Sequence, residues 1–174
     1  MLKQIFTFLL FLMAVAGPLD GAAADVDREE AMALTATVGD GVADAVSQVF
    51  FGPRAAYLDG YGLVVTIEVG LVPPRNPFSS PRTPEEVRRD SRGRLESLKS
   101  AVPELLSRPV ADLEGLGADE FVGVVIHLVN ANPVDLPDLP EQLVFSVRKQ
   151  DATARASGAL TEAAFRQRVT IREQ

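Results

Sequence analysis

Two proline-rich stretches decide what this chain can fold into. Pro73, Pro74, Pro77 and Pro81 crowd the first, and Pro133, Pro137 and Pro140 crowd the second. Each proline fixes φ and removes a backbone donor, so neither helix nor strand runs through such a stretch. The regular elements therefore have to form before, between and after these two loops, and the hydrophobic periodicity of each segment says which kind.

Before the first loop, residues 27–50 read as a helix. Ala31, Leu34, Val38, Val42, Val46 and Val49 recur every three or four positions and share a face. Gly39 and Gly41 interrupt it, and a mid-helix glycine costs about 1 kcal/mol against alanine. A kink, or two helices meeting, is expected at Gly39-Asp40-Gly41. Residues 54–72 read as a β-hairpin turning at Asp59-Gly60, a pair that favours a type I′ turn. In its second strand Leu63, Val65, Ile67, Val69 and Leu71 share one face, and Val64, Thr66, Glu68 and Gly70 the other. One face is expected in the core and the other at least partly wet.

After the first loop, Thr83, Pro84 and Glu86 form a helix start: cap, first-turn proline and capping-box partner. The helix is expected to run to about Ser100 with Val87, Ser91, Leu95, Leu98 and Val102 inward. Pro103 then begins a further turn and Pro109 ends it. Residues 120–129 read as a strand apolar on both faces, which suits an interior strand covered on both sides. After the second loop, residues 142–149 read as a strand, residues 151–156 and 161–165 as short helices, and Val169 and Ile171 as the mark of a final edge strand. The order α-ββ-α-ββ-α predicts an α+β fold, with an antiparallel sheet of about four to five strands packed against helices.

The N-terminus carries an export pattern. Lys3 precedes the apolar run Ile5–Ala16, Pro18 breaks it, and Ala22-Ala23-Ala24 supplies small residues for a signal peptidase. Residues 1–24 read as a signal peptide cleaved after Ala24, with Ala16 the second choice. The run falls short of the roughly 20 apolar residues that span a membrane. Residues 25–174 then make a single α+β domain without a transmembrane span, periplasmic or secreted.

Composition narrows the chemistry. The chain has no Cys and one His, which excludes disulfide frameworks, thiol nucleophiles, thiolate zinc sites and iron–sulfur clusters. A net charge of -7 does not suit general nucleic-acid binding. No cofactor motif is present. His127 shares its strand face with Phe121, Gly123, Val125 and Val129. It is a candidate general base, oriented by a carboxylate such as Glu68, Asp135 or Asp138; otherwise it is a half-buried histidine packed under a helix. Asp135, Asp138 and Glu141 are oxygen donors suited to a cation such as Ca²⁺, although prolines stiffen their loop and the EF-hand spacing is absent. Tyr57, Asp59 and Tyr61 cluster at the hairpin tip, either as a contact spot or as turn and cross-hairpin packing. Arg82, Arg88, Arg89, Arg92 and Arg94 are interleaved with acids and read as a solvated helix face.

The stretches YLDGYGLVVTIEVGL (57–71), DEFVGVVIHL (119–128) and TEAAFRQRVTI (161–171) together resemble a family of exported bacterial α+β proteins with no assigned activity. The resemblance implies export and a single α+β domain, and implies no function. The functional expectation is an exported, non-enzymatic interaction or accessory module of the bacterial cell envelope, with an envelope protein as partner. The alternatives are a small hydrolase using His127 with a nearby carboxylate, and a small-ligand carrier with a pocket between sheet and helices.

Overall fold

The computed structural model describes residues 26–46, 48–72, 78, 81–129 and 139–174. The elements run α1 (Arg28–Ala45), β1 (Gln48–Leu58), β2 (Gly62–Gly70), α2 (Pro84–Ala111), β3 (Phe121–Leu128), β4 (Gln142–Arg148), α3 (Lys149–Ala156), α4 (Glu162–Arg168) and β5 (Thr170–Glu173). The five strands form one sheet in sequence order. Neighbours are antiparallel except β2 and β3, which are parallel. The exception follows from connectivity, because a parallel pair needs a long crossover and α2 provides it. The fold is α+β, as the order of elements predicts.

All four helices contribute to one apolar cluster against one face of the sheet. Leu63, Val65 and Ile67 of β2, Val122, Val124 and Ile126 of β3, and Leu143, Phe145 and Val147 of β4 point into it. They meet Leu34, Val38 and Val42 of α1, Leu98, Val102 and Leu106 of α2, and Phe165 of α4. The strict alternation along each strand leaves the intervening residues on the opposite face.

Local chemistry explains the boundaries. Thr83 Oγ1 accepts from the Glu86 amide at 3.2 Å, and the Glu86 carboxylate accepts from the Thr83 amide at 2.8 Å. The bond from the Thr83 amide, and then one from the Thr83 hydroxyl to the same Glu86 oxygen at 3.0 Å, hold the Glu86 carboxyl below its ordinary range. α2 then continues for 28 residues through Pro103 and Pro109, whereas the sequence suggests a break near Ser100. Each proline removes one intrahelical bond, and burial of the Pro103 ring in the core offsets that loss. α1 also runs unbroken past Gly39 and Gly41. A Cβ at Gly39 would stand 2.7 Å from Pro53 Cγ, and one at Gly41 would overlap Leu105. These glycines are sites of close approach by β1 and α2 rather than hinges.

α1 ends earlier than its periodicity suggests. Val46 is already extended, and residues 48–50, expected in the helix, open β1. Among the described residues no helix is long and apolar enough to cross a membrane.

Candidate functional site

The face of the sheet turned away from the helices is organised in four cross-strand rows. Strand register lines up Phe51, Glu68, His127 and Gln142; then Arg54, Thr66, Val125, Val144 and Arg172; then Ala56, Val64, Gly123, Ser146 and Thr170; then Leu58, Gly62, Phe121 and Arg148. Val64, Thr66, Val125 and Val144, in the middle, are half-buried although no helix among the described residues lies over them. β3 is thus interior to the sheet but covered on one face only. Among the described residues the sequence expectation of cover on both sides is not met, because their helices all pack on the other layer.

One end of this face is closed by its own side chains. Tyr61 stacks on Phe121 with centroids 5.5 Å apart and planes 20° from parallel. The Arg148 guanidinium stands over the Phe121 ring, 5.2 Å from its centroid. Tyr61 also lies over Gly123, where a Cβ would come within 2.9 Å of its hydroxyl. Burial pushes the Tyr61 hydroxyl above its ordinary pKa, opposed by a hydrogen bond with Ser146 and the charge of Arg172.

Among the described residues the other end is open. Phe51, Arg54, Thr66, Glu68 and His127 frame a hollow of about 280 Å³. Irregularities in β1 build its rim. The register slips between Val49 and Phe51 and again between Phe51 and Arg54, so β1 holds extra residues there. Pro53 sits within this irregular stretch, where a strand without an outer partner tolerates its missing donor. The bulged backbone lays Phe50 over Gly70 and leaves Phe51 59% exposed at the mouth.

Glu68 and His127 are direct register partners across the parallel pair and are both half-buried. Of the three carboxylates the sequence offers as companions to His127, Glu68 is the one placed beside it; Asp135 and Asp138 lie outside the described residues. His127 is not packed under a helix, since it points to the helix-free side. Among the described residues, the side chains of Arg54, Glu68 and His127 make no hydrogen bond or ion pair with the protein. The hollow thus presents a cation, an anion, an imidazole, a hydroxyl and an aromatic wall, all free to meet a ligand.

The remaining candidates separate. Tyr57 and Tyr61 take opposite sides of the sheet. Tyr57 packs against the core, and its hydroxyl donates to Glu120 Oε1 at 2.5 Å. That bond, reinforced by burial and by the charges of Glu120 and Asp59, pushes its pKa up to about 12. Asp59, Gly60 and Tyr61 make the turn between β1 and β2, with the Tyr61 amide donating to Leu58 O at 3.0 Å and positive φ at Gly60 and Gly62. Glu141 is exposed beside the start of β4; its amide donates to Gln174 O at 2.7 Å. Among the described residues no group of three or more acids and histidine is placed to hold a metal ion. Of the arginines near the start of α2, Arg82 and Arg89 stand 3.4 and 3.7 Å from Asp90, and Arg94 donates to Leu71 O.

No protein-family model, curated protein or solved structure matches this chain.

Sequence reasoning named His127 and Glu68 but missed Phe51 and Arg54 as members of one site. Phe51 was hidden by a helical reading carried to residue 50. Arg54 reaches the hollow through a register that β1's extra residues set, and no alternation pattern encodes that slip.

Proposed function

We propose that this chain is an exported, non-enzymatic binding module of the bacterial cell envelope, and that it binds through the helix-free face of its sheet. One observation carries the reading: the helices cover one face, while the other holds half-buried valines flanked by exposed Phe51 and Leu58. A sheet face of this kind, apolar at its centre and charged at its rim, has the makeup of an interaction surface. Export is supported by the leader pattern alone, Lys3 followed by Ile5–Ala16 and Ala22-Ala23-Ala24. The natural partner is an envelope protein or a ligand it presents.

Site-specific photo-crosslinking in intact exporting cells tests this. A photoreactive residue at Val125 should give discrete adducts, and one at Ser97, exposed on the outer side of α2, should give none. Adducts at both positions, or at neither, overturn the reading.

One observation favours a second reading. Glu68 is the register partner of His127, and although no hydrogen bond joins the two side chains, a carboxylate at that position is near enough to orient the imidazole as general base once a substrate and water are bound. That reading requires the purified chain to hydrolyse ester, amide, phosphate or glycoside substrates faster than its His127→Gln variant. Equal rates across all four classes remove it.

A further inference from the structure

We infer that the hollow between Phe51, Arg54, Glu68 and His127 is a binding site for a small zwitterion, a molecule bearing an ammonium and a carboxylate close together beside an apolar group. This rests on the helix-free face being the binding face, and it names the ligand class. The place first expected for a ligand pocket, between sheet and helices, is occupied by the core cluster; the hollow is on the other layer.

The charge pattern selects the ligand. Arg54 stands opposite Thr66, and Glu68 is two residues along the same strand. Diagonal neighbours of this kind are roughly 7–8 Å apart at the backbone. Their side chains can hold the two ends of one small polar molecule. Among the described residues they form no ion pair with each other. A simple anion drawn to Arg54 also meets Glu68 and the field of a chain with net charge -7. A simple cation drawn to Glu68 meets Arg54. A zwitterion satisfies both and brings no net charge into the field.

The neutral groups refine the choice. His127, beside Glu68, supplies a ring nitrogen that donates or accepts. Thr66 adds a hydroxyl at the floor. Phe51 offers an exposed aromatic wall to an apolar side chain. A hollow of about 280 Å³ lies at the small end of the usual range of ligand sites. It accommodates an amino acid or a short peptide and excludes an oligosaccharide. Hydrogen bonds to the Glu68 carboxylate are charge-assisted, and the half-burial of Glu68 and His127 partly shields bonds to them from water.

Free amino acids and short peptides share this chemistry, and calorimetry on the purified full chain separates them. One pool contains free amino acids and the other tripeptides with free ends. The best binder from either pool is then tested in N-acetylated and C-amidated forms. Saturable heat is expected from one pool, with binding weakened about tenfold or more by blocking either end. Glu68→Gln should lose discrimination against the acetylated form alone, and Arg54→Met against the amidated form alone. Arg54 is exposed, and Glu68 is half-buried without a hydrogen bond or ion pair among the described residues, so circular dichroism should show both variants folded. No heat from either pool, or equal binding of blocked and free ligands, overturns the inference. If that happens while Val125 still crosslinks, the ligand class is wrong and the binding face stands; if Val125 does not crosslink, the face itself is wrong.

Discussion

Glu68 and His127 face each other across the one parallel strand pair of the sheet, on the layer that no helix of the described residues covers. Their adjacency is a product of α2. That helix carries the chain from the end of β2 back to the start of β3, so the two strands run the same way and their wet residues fall into step. The same crossover places Val64 beside Gly123, and Gly62 beside Phe121.

The tightest of these approaches gives the first prediction. Gly62 has φ of 123°, and a Cβ there would be driven into the backbone carbonyl of Phe121. A carbonyl held in a central strand cannot swing aside. Gly62→Ala should therefore cost about 3 kcal/mol or more, combining backbone strain with overlap. Urea unfolding should show a lower midpoint with an unchanged slope. A midpoint within error of the parent contradicts the close approach of β2 and β3.

Two helical glycines should respond in opposite directions. Gly93 in α2 has nothing within 4 Å of an added Cβ. Gly93→Ala should stabilise by about 0.5–1 kcal/mol through helix propensity. Gly41→Ala gains the same propensity but overlaps Leu105, and overpacking typically costs about 1–3 kcal/mol. The overlap wins, and Gly41→Ala should lower the melting temperature while Gly93→Ala raises it. A rise in both would mean that α1 and α2 do not pack through Gly41.

High pH should destabilise the fold through Tyr57. The hydrogen bond to Glu120 lifts its hydroxyl from 10.0 to about 12. Between those values the folded chain holds a proton that the unfolded chain has released, so stability falls as pH rises. The contribution is fully present below pH 10.0 and is lost as pH passes about 12. Tyrosinate absorbance should show that Tyr57→Phe removes one of two late-ionising groups and leaves that of Tyr61, and that Glu120→Gln moves the Tyr57 step back toward 10.0. An unchanged titration in the Glu120 variant would break the assignment.

Removing the α2 cap should cost a defined amount. Thr83→Ala deletes the side chain that accepts from the Glu86 amide, a loss of about 1 kcal/mol. Thr83→Ser keeps the acceptor and should restore most of it. Thermal unfolding of both variants checks the pair, and equal destabilisation by Ala and Ser would show that the hydroxyl is not the cap.

Much of this was legible in the sequence. The hairpin at Asp59-Gly60, the Thr83 cap and the alternation of 121–128 each follow from local chemistry, and each is present, although the turn is not type I′ because Asp59 keeps a negative φ. α1 was overextended because Val46 and Val49 continue a three-or-four spacing that also fits the alternation of a strand. The continuity of α2 was missed because a proline's local penalty is visible in sequence and the burial that offsets it is not. His127 and Glu68 could be named singly, Glu68 on a partly wet strand face and His127 on a strand that reads as apolar on both faces. Their side-by-side placement needed the direction of β3 relative to β2, a property of the crossover and of neither strand. Arg54 and Phe51 needed the slips in β1, which arise where an edge strand bends around Pro53.

The most direct test of the account is NMR of the His127 ring, the one imidazole in the chain, while millimolar amino-acid and tripeptide pools are added. His127 sits on the helix-free face, and Leu98 and Val102 are fully buried on the helical side. If that face is the binding face, the ring signals should shift saturably while the methyl signals of Leu98 and Val102 hold still. Ring signals that stay fixed throughout, or shifts concentrated on the helices, would contradict it.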